Sequence, residues 1–172
     1  SLKKAAEEIL DRVRREGKFA LVLASRPYQN DSLVNHNLPD MFTSQGIPVL
    51  TVDSLPGLEK ADLRRSRVEI TNDFHARMLS GAMVTAEQPC LEYVQIVSFG
   101  CGHDAILSDE IIRLLGEGSG KPPLILKVDE SEAVRISQKA LRSGWRHWRS
   151  RTIVPSAPRA IMPAAPPWRR PK

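Results

Sequence analysis

Residues 91–104 read LEYVQIVSFGCGHD: a strand-like run from Leu91 to Phe99, then Gly100-Cys101-Gly102, then polar residues that open a helix. An apolar-rich run of this length, cut off by a turn signal, is what a strand covered on both faces looks like. The two glycines remove the Cβ atoms that would crowd Cys101, so the thiol is predicted to be accessible at the strand end. A strand that runs through a tight turn into a helix is half of a parallel βαβ unit.

The same passage recurs on either side. Upstream, Phe19 to Ala24 (FALVLA) is a second short apolar run, preceded by an amphipathic helix over Leu2 to Arg15 and followed by the polar loop Ser25 to Asp31. A short helix is predicted over Leu38 to Gln45, with Pro39 in its first turn and Gly46 at its end. Pro48 to Asp53 is then a strand, and Ile70, Phe74, Met78 and Ala82 recur at helical spacing up to about Ala86. Downstream, a helix is predicted over Ile106 to Leu115, ended by Gly116 and Gly118. Leu124 to Val128 is predicted as a fourth strand and Ala133 to Trp148 as a last helix. Repeated strand–helix alternation implies a three-layer α/β domain: an open, mainly parallel four-stranded sheet with helices on both faces, Rossmann-like or flavodoxin-like.

The chain of 172 residues is long enough for one such core, which is assigned to 1–150. It begins without Met, so either a processed protein or, the favoured expectation, a segment of a larger protein is read here. Residues 151–172 are rich in Pro and Arg and show no apolar period, so a disordered tail is expected there. Much of the net charge of +5 sits late in the chain, from Arg142 onward. The stretch Trp145 to Arg151 has a composition that can meet nucleic acid, but a helix end is the favoured reading. No apolar run approaches the ~20 residues of a membrane span, and two cysteines make no disulfide framework, so a cytoplasmic location is expected. There is no Walker A motif and no Gly-x-Gly-x-x-Gly fingerprint, so neither ATP nor a dinucleotide is predicted as a ligand.

Ligands of open parallel sheets bind outside the carboxyl ends of the strands. Those ends are Ser25-Arg26-Pro27-Tyr28, Asp53-Ser54, Ser98 to Asp104, and Asp129-Glu130, all polar. Cys101 leads the candidates, as a nucleophile or a metal ligand, against a buried structural thiol. His103 is either its partner or an exposed loop residue, and Asp104 is read as the cap of the following helix. Asn35-His36-Asn37 lies in the loop after the first strand, either at the same edge or as a turn former, with His36 a second candidate base. Arg26 and Tyr28 are suited to a phosphate, carboxylate or carbonyl, or to ordinary pairing. Asn35 and Ser98 complete the predicted substrate contacts. Cys90 stands before the strand that Cys101 follows, which at about 3.3 Å per residue puts the two roughly 30 Å apart. They can share neither a metal nor a disulfide, which needs Cα atoms within about 7 Å.

In these loops the chain resembles the activase-related proteins of the 2-hydroxyacyl-CoA dehydratase family, which includes 2-hydroxyglutaryl-CoA dehydratase and CoA-substrate-specific enzyme activases. The resemblance rests on Arg26-Pro27-Tyr28 with Asn35-His36-Asn37-Leu38-Pro39, Val49-Leu50-Thr51 to Asp53-Ser54, Ser98 to Gly102 with Asp104-Ala105, and Leu126 to Glu130. It spans about Phe19 to Ser143. It implies a place among proteins in which loop cysteines hold a [4Fe–4S] cluster used in low-potential electron transfer and acyl-CoA dehydration. Cys101 would match a ligand position, with the other ligands supplied by a second domain or subunit. An acyl-CoA-like small molecule is the implied ligand. The residues alone leave two alternatives open: an acyl transferase or hydrolase with Cys101 as nucleophile, and a noncatalytic ligand-binding or assembly module.

Overall fold

A computed structural model describes residues 2–35, 37–70, 72–98 and 101–128. The helix α1 (Leu2–Arg15) leads into β1 (Ala20–Ala24), followed by a 3₁₀ turn at Pro27–Asn30 and the short helices α2 (Ser32–Asn35) and α3 (Leu38–Thr43). Next come β2 (Val49–Thr51), a connection with 3₁₀ turns, α4 (Asp73–Glu87), β3 (Leu91–Ser98), α5 (Gly102–Ser119) and β4 (Leu124–Val128). The sheet order is β2-β1-β3-β4, and every pairing is parallel. The predicted three-layer α/β architecture is present.

Connectivity places the helices. From β1 the chain crosses to β2 on one side, and from β2 it returns past β1 to β3, so right-handed crossovers send α3 to one face and α4 to the other. The cores agree. Ala6, Leu10 and Val13 of α1, Leu79 and Ala82 of α4, and Leu107, Ile111 and Leu114 of α5 pack on one face. Leu38 and Phe42 of α3 pack on the other face with Leu21, Leu23, Val94 and Ile96. β1 and β3 form the centre, and every residue of β1 is buried, as its unbroken apolar sequence requires.

Several boundaries differ from expectation. The stripe of α1 is narrower than its sequence pattern, since Leu2 is 76% exposed. β2 has three residues because Val52–Ser54 turns into a 3₁₀ helix, with the Ser54 hydroxyl donating to the Thr51 carbonyl at 2.8 Å. α4 begins at Asp73 rather than Ile70, because Asn72 Oδ1 accepts the His75 N–H at 2.9 Å and caps it. The expected stop of α5 at Gly116 and Gly118 is also corrected. Both lie inside the helix, and the end comes at Gly120, whose φ of 68° sends its N–H back to the Leu115 and Gly116 carbonyls. No described helix is long and apolar enough to cross a membrane. The predicted helix at 133–148, the 151–172 tail, Asp129-Glu130 and the basic Trp145–Arg151 stretch lie outside the described residues.

Candidate functional site

The chain leaves β1 and β3 toward opposite sides of the sheet, which makes their carboxyl ends the topological switch point and opens a crevice there. The two strands are also staggered. Ala24, the last residue of β1, pairs with Gln95, and β3 runs on through Ile96, Val97 and Ser98. The loop that leaves β1 therefore turns beside the end of β3. Gln29 organises this turn: its Oε1 accepts the Arg26 N–H at 2.8 Å, and its own N–H donates to the Arg26 carbonyl at 2.9 Å. Its amide Nε2 also reaches Ser98 Oγ at 3.2 Å, and the Tyr28 hydroxyl lies 2.7 Å from the same oxygen.

Arg26 is thereby aimed at the start of α5. Its Nη2 donates to Cys101 Sγ at 2.9 Å and to Asp104 Oδ1 at 2.6 Å, and its guanidinium lies 5.6 Å from the centre of the Phe74 ring. The remaining oxygen of Asp104, Oδ2, accepts the Ser98 N–H at 2.9 Å. The N-cap of α5 is Cys101, so the reading of Asp104 as the cap is corrected: it sits in the first helical turn, buried, and joins β3 to Arg26. Burial opposes the charge on Arg26, but Asp104 and Cys101 outweigh it and raise its pKa.

The Cys101 thiol is held below its ordinary pKa. The largest influence is the backbone N–H of Asp104, although that approach falls short of a full capping hydrogen bond. Partial desolvation and the Asp104 charge push the pKa up, while the hydrogen bond and charge of Arg26 push it down. The result is a partly exposed thiol with a lowered pKa between a cation and a helix start, an environment that favours a reactive or metal-binding cysteine over an inert one.

Of the predicted contacts, Arg26, Tyr28, Ser98 and Cys101 are thus brought together. The His103 ring lies beside that of His75, with centroids 6.2 Å apart and planes tilted by 32°. Asn35 is 2% exposed, and its Oδ1 has no hydrogen-bond partner, so it is packed beneath the loop rather than presented at its surface. His36 and Gly100 lie outside the described residues. Sequence reasoning missed Gln29 and His75. Gln29 carries no signal beyond its place in the turn, whereas the Asn72-x-x-His75 spacing is a capping pattern that points to a helix start at the same edge.

The donor set tests the implied cluster. The chain has two cysteines, and Cys90, buried before β3, is at the opposite end of the strand from Cys101. Among the described residues no three His, Cys, Asp or Glu side chains are gathered to hold a metal. A complete iron–sulfur site does not fit this chain, because such a cluster takes several thiolates, whereas a contribution of one thiolate fits.

Comparison with known proteins bears on the first third of the chain. No curated protein and no solved structure matches it. Residues 1–55 match the family described as the CoA enzyme activase uncharacterised domain. This stretch runs from α1 through β2 and contains Arg26, Tyr28 and Asn35, but not Cys101. Over residues 1–55 the chain is thus similar to the CoA enzyme activase uncharacterised domain, in agreement with the resemblance read from its loops.

Proposed function

We propose that this chain is the thiolate-bearing domain of a 2-hydroxyacyl-CoA dehydratase- or activase-type system, with Cys101 giving one ligand to a [4Fe–4S] cluster completed by another domain or subunit. The observation that carries the reading is the 2.9 Å contact of Arg26 Nη2 with Cys101 Sγ at the switch point. The activase-related match over residues 1–55 supports the family context.

The residues of this chain have separable roles in that reading. Arg26 and the Asp104 N–H both act to lower the Cys101 thiol pKa, which favours the thiolate, the form of cysteine that ligates metal. Asp104 fixes the Arg26 guanidinium against the strand end. Tyr28 and Ser98 place two hydroxyls at the crevice mouth, suited to hydrogen bonding a carbonyl of an acyl-CoA-like ligand. The cluster, when bound, would supply one-electron transfer at low potential.

The test is anaerobic reconstitution with iron and sulfide of the complete gene product together with its partner subunits. Iron and sulfide content and visible absorbance are read for wild type and Cys101→Ala. Loss of cluster in the variant is expected, and this chain alone should hold no complete cluster. Unchanged iron and sulfide in the variant would remove the ligand role. A second reading, Cys101 as a nucleophile toward a thioester, is favoured by the lowered thiol pKa. It predicts intact cluster content together with lost acyl transfer in Cys101→Ala.

A further inference from the structure

A cavity of about 320 Å³ lies beside this site, lined among the described residues by Val68, Glu69, His75, His103, Ile106 and Leu107. That is room for one large side chain or a small molecule. His75 and Leu107 are buried and form its floor, whereas Glu69, His103 and Ile106 are exposed at its mouth. The two imidazole rings, with centroids 6.2 Å apart, stand beside an otherwise aliphatic wall, a lining suited to an aromatic ring.

The wall is held in place before anything binds. The Ser66 hydroxyl is within 3.2 Å of both the carbonyl and the N–H of Val68. The Arg67 N–H donates to Glu110 Oε1 at 2.9 Å, and Arg113 Nη2 donates to the Arg65 carbonyl at 2.7 Å, so the segment is pinned along α5.

The mouth is acidic. Glu69 and Asp73 are exposed, and neither is in an ion pair among the described residues. The neighbouring cations are already engaged, Arg26 by Asp104 and Arg77 by Asp53. Charge is also divided unevenly along the chain. Residues 1–128 carry 17 acidic and 15 basic side chains, whereas residues 129–172 carry 3 and 10, so the net charge of +5 belongs to a slightly acidic body joined to a strongly basic extension. β4 ends at this same edge of the sheet, with Val128 paired to Ser98, so the basic extension departs from the edge that carries the acidic mouth.

Within the extension, Leu141, Trp145 and Trp148 recur at helical spacing, as one stripe of the helix predicted there. Trp168 has no such place. It stands in Pro166-Pro167-Trp168-Arg169-Arg170-Pro171-Lys172, an indole followed by three cations, and the prolines around it limit the freedom that the segment loses on docking. We propose that residues 168–172, which lie outside the described residues, dock on the carboxyl edge of their own chain, with Trp168 in the cavity and Arg169, Arg170 and Lys172 against Glu69 and Asp73. Exposed ion pairs contribute little, so the indole is the anchor and the charges set its orientation. Residues 129–167 tether the segment at an effective concentration of roughly millimolar order, which lets a weak contact be populated. The inference does not involve the Cys101 sulfur, and it stands or falls separately from the cluster proposal.

The test uses the full chain and follows the methyl signals of Val68, Ile106 and Leu107 by NMR, since the ring current of a docked indole displaces them. Trp168→Ala should shift the signals of all three residues. A peptide of residues 163–172 added to that variant should restore the wild-type positions saturably, and the same peptide with Ala at 168 should not. Glu69→Lys, at an exposed position, should lower the docked population about two- to fivefold. About 1 M sodium chloride, where the screening length is only ~3 Å, should act in the same direction. Methyl signals that ignore Trp168→Ala, no recovery with the peptide, or a docked population unchanged by both Glu69→Lys and salt would overturn the inference. Shifts that grow with protein concentration would also overturn it, because they would mean that the segment of a second copy fills the cavity.

Discussion

Arg26 and Cys101, separated by 75 residues, meet at 2.9 Å because β1 and β3 are neighbours in the sheet although β2 and α4 intervene in sequence. The pairing is a product of the 2-1-3-4 strand order. A sheet in sequential order would put β2 between them and leave the thiol without its cation.

Replacing Arg26 with Met should therefore raise the Cys101 pKa toward that of an ordinary thiol, since both Arg26 influences on the sulfur act to lower it. Only part of the shift should be lost, because the Asp104 N–H remains in place. The measurement is the rate of iodoacetamide alkylation against pH, with Cys90 replaced by Ala to leave one thiol. A pH–rate curve identical to wild type would show that the Arg26 contact does not set the thiolate population.

Asp104→Asn should move the same curve the other way. The Asp104 carboxylate raises the thiol pKa by its charge while its backbone N–H lowers it, and the substitution removes only the first effect. Stability should fall at the same time by about 2 kcal/mol, because a buried charge partner of Arg26 is lost. Opposite displacements in Arg26→Met and Asp104→Asn, together with lower stability in the latter by urea titration, are the expected pair of results. Displacement in one direction by both variants would mean that the pair acts only through folding.

Much of this geometry was legible in the sequence because it follows from two periodicities. β1 is an unbroken apolar run and β3 an apolar-rich one interrupted by Glu92 and Gln95, so their burial on both faces could be read from sequence, and their polar carboxyl ends named Arg26, Ser98 and Cys101. What could not be read was the direction of side chains within the loops. Asp104 has the composition of a cap but points back to the Ser98 N–H, and the ring of His103, one residue earlier, lies 6.2 Å from that of His75. The end of α5 was misplaced for a related reason. Glycine marks both a helix stop and a close contact, and only φ separates Gly120 from Gly118.

That distinction gives opposite signs for two neighbouring substitutions. A Cβ on Gly118 would stand 2.7 Å from the Ala86 Cβ of α4, so Gly118→Ala should destabilise by about 1–3 kcal/mol through overpacking. A Cβ on Gly116 meets nothing within 4 Å, so Gly116→Ala should stabilise by roughly 0.5–1 kcal/mol through helix propensity. Thermal unfolding of both variants decides the matter. Pairing Gly118→Ala with Ala86→Gly should recover part of the loss, whereas equal gains from both alanines would mean that α4 and α5 are not in contact there.

The pH dependence of stability should be governed in part by Glu110, whose side chain is 5% exposed and paired with Arg113. Its pKa is lowered chiefly by the hydrogen bond from Arg113, against desolvation, with further help from the Arg67 N–H. A depressed folded-state pKa means that the unfolded chain binds the proton more readily. The stabilisation is therefore present above the ordinary carboxylate range and is lost as pH falls through the lowered value. Glu110→Gln should cost about 1–3 kcal/mol at neutral pH, less than a fully buried pair because Arg113 stays partly hydrated. The variant should also lose less stability than wild type on acidification. Denaturant unfolding at neutral pH and in the acid range measures both effects, and parallel curves for the two proteins would show that the Glu110 proton is not linked to folding.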